Sequence, residues 1–188
     1  MVEQKTVYFD TPGRENTDAV LRIARQRAEE LGIKTILVAS TVGDTAVKAV
    51  DFLKGLRVIA VTHAHGFREP DTQEFTEENR RLVESKGGII LTATHAFAGL
   101  DRAMRKRFNM YLLGDIIAST LRIFGEGMKV ACEISLMAAD AGLVRTDEDV
   151  ISIAGTGRGA DTAIVLRPVN TGDFFSLKVK EILCKPHF

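Results

Sequence analysis

Thr35-Ile36-Leu37-Val38-Ala39 is an apolar run with no alternation of polar residues. A strand with one wet face alternates, so this pattern implies burial on both faces and hence a parallel sheet flanked by helices. Helical periodicity frames the run. Before it, Asn16 or Thr17 can cap a helix that carries Val20, Ile23, Ala24, Ala28 and Leu31 on one face, and Gly32 stops it. After it, a helix from about Asp44 to Leu53 turns Val47, Val50 and Leu53 inward, and Arg57 to Thr62 forms the next strand. A polar loop, His63 to Gln73, leads to a helix that Thr76 can cap and that Glu77 and Glu78 suit electrostatically. Ile89 to Leu91 is a third buried strand. Strands and helices alternating at this spacing predict right-handed βαβ units: an α/β fold with a three-layer, doubly wound, mainly parallel sheet.

The remainder adds a helical segment and a different kind of edge. Gly99 to Leu143 reads as helical, with a polar, basic stretch from Asp101 to Arg107. Two further helices follow, Tyr111 to Phe124 and Met128 to Ala141, both apolar enough to predict burial. Val150 to Ala154 and Ala163 to Leu166 are strands joined by Gly155 to Asp161. Alternation at Phe175, Leu177 and Val179 predicts an antiparallel C-terminal edge strand, whose unpaired backbone offers a route to a homodimer. No linker or internal repeat divides the chain, so residues 1–188 are expected to form a single domain.

Charge and cysteine content narrow the function classes. Twenty-five Lys and Arg balance 25 Asp and Glu, which gives no reason to expect nucleic acid, and the basic run Arg102, Arg105, Lys106 and Arg107 reads as a solvated helix face. The most apolar region, Tyr111 to Phe124, is broken by Gly114, Asp115, Ser119 and Arg122, too polar to span a membrane. The first residues show no apolar leader, and Cys132 and Cys184 are too few for a disulfide framework. A cytoplasmic protein with reduced thiols is expected, with Cys132 in the core.

Polar residues converge where the apolar strands end. In a doubly wound sheet the C-terminal ends of parallel strands share one edge, and ligands bind in the crevice outside it. Four segments there are rich in Ser, Thr, His or Gly: Ser40 to Thr45, Thr62 to Gly66, Thr92 to Phe97, and Gly155 to Asp161. In the first, Gly43 permits close backbone approach and the following helix presents unpaired N–H groups, a natural anion site. In the last, Gly155, Thr156, Gly157, Arg158 and Gly159 can wrap an anion, Arg158 adding a charge-assisted contact. The loop continues into a strand and no Gly-Lys-Ser/Thr occurs, so neither a dinucleotide fingerprint nor a Walker motif is present. The candidate ligand-binding residues are therefore Ser40, Thr41, Gly43, Asp44, Thr45, Thr62, His63, Gly66, Thr94, His95 and Gly155 to Gly159.

A helix N-terminus contributes roughly 0.3–1 kcal/mol to anion binding, up to ~2 when sheltered. Micromolar affinity requires about 8 kcal/mol. The expected ligand is thus a phosphate carrying an organic group, which Phe67 and Phe97 are placed to contact. His63, His65 and His95 raise a metal site, but a strand-end His-x-His points its imidazoles apart and no carboxylate is evidently paired with them. Acid–base use of His63 or His95 is favoured over metal ligation. No nucleophile elbow is visible.

Ile36 to Ala46, the strand Val58 to Thr62, and Val150 to Leu166 together resemble the C-terminal α/β domain of pyruvate kinases. In that family a Thr-x-Ser-Gly-x-Thr/Ser-Ala loop in many members holds a phosphate of an allosteric sugar bisphosphate. The matching loop here is Ser40-Thr41-Val42-Gly43-Asp44-Thr45-Ala46, with Val42 in place of a hydroxyl and a negative charge at Asp44. The 188 residues leave no room for the family's catalytic barrel, so no pyruvate kinase activity is expected. Stand-alone members of the group look like flavin mononucleotide (FMN) binders. The resemblance therefore implies FMN as cofactor; a flavin-dependent or sugar-phosphate enzyme, or a regulatory subunit, are the alternatives.

Overall fold

Alternate residues of the central strands feed two separate cores. In a computed structural model that describes Met1 and residues 3–188, the strands are β1 (Val7–Phe9), β2 (Thr35–Ala39), β3 (Arg57–Val61), β4 (Ile89–Leu91), β5 (Val150–Ala154), β6 (Thr162–Arg167) and β7 (Lys178–Pro186). The helices are α1 (Thr17–Leu31), α2 (Asp44–Phe52), α3 (Glu77–Ser85), α4 (Gly99–Phe108), α5 (Leu113–Arg122) and α6 (Glu126–Asp140). Ile36 and Val38 of β2, with Val58 and Ala60 of β3, pack among side chains of α1 and α2. Leu37 and Ile59, one residue out of step, pack among side chains of α6 on the opposite face. Two-sided burial is why these strands read as continuous apolar runs.

The strands form one sheet in the order β1-β7-β6-β5-β2-β3-β4. β5, β2, β3 and β4 run parallel; β6 is antiparallel to β5, and β7 to β6, as the C-terminal pattern predicts. The fold is therefore a mostly parallel α/β sheet with an antiparallel C-terminal side. Local signals act as expected at several ends: Thr76 accepts a bond from the Asn79 amide at the start of α3, and Gly32 closes α1 in the left-handed conformation. No helix among the described residues is long and apolar enough to cross a membrane.

Two expectations are corrected. The C-terminal strand starts later than the alternation suggests: Phe175 belongs to a short 3-10 segment, Thr171–Ser176, while Phe174 and Leu177 pack on the core beside α6. β1 then lies outside β7, pairing Val7–Phe9 with Cys184–Pro186, so the outermost strand is N-terminal. Second, α5 is not a buried helix. It packs on α6 through Ala118, Ile117 and Leu121, and only Asp115 and Ala118 are buried. Its remaining apolar residues face outward, because α6 already covers that face of the sheet.

One carboxylate joins the chain's beginning to its end. Asp161 is fully buried, and its Oδ2 accepts from the amides of Gly13 (3.1 Å) and Thr156 (2.9 Å). Its Oδ1 accepts from the Thr162 hydroxyl at 2.7 Å. Nearby, the Ala160 amide donates to Thr17 Oγ1 at 3.0 Å. The loop from Gly155 to Asp161 is thereby tied to the segment that starts α1. Asp161→Asn keeps the volume but points an amide donor where an acceptor is needed. It is expected to lower stability by about 1–3 kcal/mol, read as a drop in urea midpoint without a change in slope.

Candidate functional site

β2 is flanked by β3 on one side and by β5 on the other, and the chain runs from β2 towards β3 but from β5 away from it, to β6. Strand order therefore reverses beside β2, and the connections that follow β2 and β5 part to opposite sides. A crevice outside the C-terminal strand ends is the geometric result. It holds a cavity of about 520 Å³, within the range of small-molecule sites. Ser40, Thr41, Asp44, Thr45, Thr62, His63, His95, Gly155, Gly157, Arg158 and Gly159 line it together. Gly66 and Thr94 instead line a smaller neighbouring cavity, beyond the ring of Phe67. Gly43 and Thr156 are not among the lining residues of the crevice, although their neighbours in both loops are.

The loop after β2 is built to expose helix amides. Ser40 Oγ accepts from the Ala46 amide at 3.3 Å, and the Val47 amide bonds Gly43. The amides of Asp44 and Thr45, the first two of α2, have no intrahelical acceptor and lie at the crevice wall. Gly43 has φ +109°, and a side chain there would run into Asn79 of α3. Asn79 Nδ2 and the Thr76 amide both donate to the Val42 carbonyl, at 2.9 and 3.2 Å. Thus Ser40 and Gly43 hold the loop, while Asp44 and Thr45 offer donors.

The glycine-rich loop faces it across the crevice. Gly159, at φ +76°, is pressed against Arg14 so closely that no side chain would fit. That glycine answers to packing. Arg158 reaches over to Asp44, Nη2 to Oδ2 at 2.6 Å, with both side chains more than half exposed. Asp44 does not cap α2; the N-cap is Gly43, without a side-chain bond. Its charge is met by Arg158 instead, in a pair worth at most about 1 kcal/mol at such exposure.

The floor carries groups that loop composition does not announce. Glu126, Lys129, Val130, Glu133, Ile134 and Met137 recur at one face of α6 and line the crevice. Lys129 and Glu133 form a buried ion pair one turn apart, and Glu133 Oε1 also accepts from the Phe97 amide at 3.0 Å. Their i, i+4 spacing in an otherwise apolar helix was the available signal. All four crevice cations are paired: Arg68 with Glu74, Arg122 with Glu126, Lys129 with Glu133, Arg158 with Asp44.

The histidines differ from one another. His63 Nδ1 lies 2.6 Å from Glu74 Oε2, so a carboxylate partner exists where the sequence showed none. His95 stacks on Phe67 (centroids 4.8 Å apart, planes at 18°), and the Arg102 guanidinium also lies over that ring, 3.8 Å from its centroid. Its Nε2 accepts from the Ala64 amide at 3.4 Å, which fixes a neutral tautomer with the proton on Nδ1. Burial drives its pKa down to about 4, helped by the nearby charges of His63, Lys129 and Arg102 and opposed by Glu133. His65 is exposed; it lines the smaller neighbouring cavity with His95 and does not line the crevice. Among the described residues no group of three or more His, Cys, Asp or Glu is placed to share a metal ion. Cys132 is a core residue, its thiol pushed up to about 12 by burial.

The family described as "Pyruvate kinase, alpha/beta domain" matches residues 18–166. The chain belongs to that family. Among solved structures it is similar to two crystal structures of pyruvate kinase from Cryptosporidium parvum, at 12% identity, 81% coverage of this chain and TM-scores of 0.43 and 0.40. A third, Cryptosporidium parvum pyruvate kinase in complex with ADP, matches at 12% identity over 79% of this chain with a TM-score of 0.39. The chain spans less than a quarter of those enzymes, 22–23% of their length. In this pyruvate kinase α/β domain the residue without a hydroxyl, Val42, serves through its carbonyl, as the point where α3 grips the loop.

The neutral His95 gives the domain a pH signature. Folded, the imidazole takes no proton above about pH 4, whereas the unfolded chain takes one below about 6.5. The unfolded state binds more protons in that window, so stability falls as pH drops from 6.5 towards 4. His95→Gln is expected to flatten this part of the profile, measured as urea midpoints between pH 4 and 7. A His95 pKa above 6.5 by NMR titration would contradict it.

Proposed function

We propose that this domain binds a phosphorylated organic molecule in the crevice beside β2, with FMN, the ligand that the family resemblance implies, as the candidate. One observation carries the reading: free amides of Asp44 and Thr45 at one wall stand beside an apolar lining of Val61, Phe67, Val130, Ile134 and Met137. An anion has donors at the first, and a flat ring system has partners at the second. Every crevice cation is already paired, so the phosphate would rely on α2 amides and on Arg158, whose exposed pair with Asp44 exchanges at little cost. FMN would supply redox chemistry when bound. The chain's own groups position it: Thr41 and Thr45 at the phosphate, Phe67 and the α6 face along the ring, and Lys129 at the floor.

Titration of purified protein with FMN and riboflavin, followed by flavin fluorescence, tests the assignment. FMN is expected to bind roughly 5–30-fold tighter than riboflavin, the ratio that ~1–2 kcal/mol from a helix N-terminus gives. Asp44→Asn should tighten FMN a few-fold and leave riboflavin unchanged. Equal affinities would remove the phosphate site from the α2 terminus. A protein that takes up no flavin, yet releases another phosphorylated compound on denaturation, would overturn FMN alone.

A second reading, acid–base catalysis on the bound ligand, is favoured at one residue. Glu74 holds His63 by its Nδ1 at 2.6 Å on the crevice wall, whereas His95 is stacked on Phe67 and kept neutral by burial. The catalytic version predicts that His63→Gln abolishes turnover in a substrate screen while FMN affinity stays within about threefold. Joint loss of both would mark His63 as a binding contact.

A further inference from the structure

From Phe108 to Phe124 the chain presents apolar side chains to solvent along a surface that none of the described residues covers. Tyr111, Leu113, Ile116 and Ile123 are 65, 64, 59 and 72% exposed, and Phe108 and Phe124, at the two ends of the segment, are exposed as well. Leu113, Ile116, Thr120 and Ile123 fall at intervals of three, four and three residues along α5 and its end. That is the spacing of a helix–helix seam. A groove of about 440 Å³ runs along it, lined by Tyr111, Ile116 and Ile123 among others.

The surface is held rigidly from behind. Asp101 of α4 accepts from the Gly114 amide at 2.8 Å, and Asp115 pairs with Arg105 and accepts from the Leu112 amide at 3.3 Å. These polar ties fix α4 to α5 and turn the apolar residues outward, so the exposure is part of the architecture.

We infer that this face is the contact surface for a second copy of the chain, paired about a two-fold axis through α5. Two features select that occupant. The first is charge: between Phe108 and Phe124 only Asp115 and Arg122 are ionised, and both are neutralised within the chain, by Arg105 and Glu126. A two-fold contact sets each residue near its own copy or a close neighbour, which a face without free charge accepts and a charged face resists. The second is area: six large side chains at roughly 100–150 Å² of exposed surface each come to about 700 Å². That is close to the ~800 Å² that each partner gives to a standard interface. An apolar patch of this size also exceeds what a monomer usually leaves uncovered.

Light scattering on the full chain tests the inference. The expected particle has at least twice the 20.6 kDa of one chain. Ile116→Asp, at an exposed position, should halve its mass while circular dichroism and the urea midpoint of the monomer stay unchanged. Val179→Asp, on the outer side of β7, should leave the mass as it was. A monomer at 100 µM or an assembly indifferent to Ile116→Asp would overturn the proposal. So would dissociation by Val179→Asp alone, which would place the contact on the β7 edge. Sedimentation of a monomeric chain with anionic vesicles, abolished by Ile116→Asp, would assign the surface to a lipid partner instead.

Discussion

Burial of β2 on both faces is the constraint from which the rest follows. A strand whose neighbours are parallel on both sides needs crossover connections, and two-sided apolar side chains need helices above and below. Here α1 and α2 cover one face and α6 the other. The connections therefore part at the end of β2, and the crevice exists because no element can fill the point of parting. The site is a by-product of how the sheet is wound, and its walls are the first turns and loops of the elements that wind it.

Charge within that crevice is balanced by pairs. Four cations meet four carboxylates, so the potential inside owes more to oriented amides than to net charge. The buried Lys129–Glu133 pair is a costly feature for stability alone, since desolvation offsets most of its Coulomb attraction. Its place on the crevice floor, with the ammonium using one of three donors on Glu133, gives it a use that an apolar pair would not have.

The sheet and the edge where polar residues gather were legible because both rest on short-range patterns. Apolar runs named the buried strands, Thr76 and Gly32 named helix ends, and Ser40 to Thr45 named a wall. What escaped depends on distant partners. Glu74 reaches His63 across a loop, Lys129 and Glu133 look like any helix pair until the sheet is folded, and Asp161 acts on Gly13 from 148 residues away. Gly159 resembled an anion-binding glycine because composition cannot tell a close ligand from a close backbone. The exposure of α5 is hidden for a related reason: an apolar helix says that it needs cover, and the sequence does not say whether its own chain provides it.

The Arg158–Asp44 pair bears on how a ligand arrives. On the proposed reading, an incoming phosphate would take the place of a carboxylate already at the arginine, exchanging one anion for another. The field that a diffusing ligand meets outside the crevice is then close to neutral, and little long-range steering is available. Encounter with such a ligand would proceed at the pace of unaided diffusion, and ionic strength would have slight leverage over it. Selection between anions falls to the moment of contact, when the carboxylate must let go.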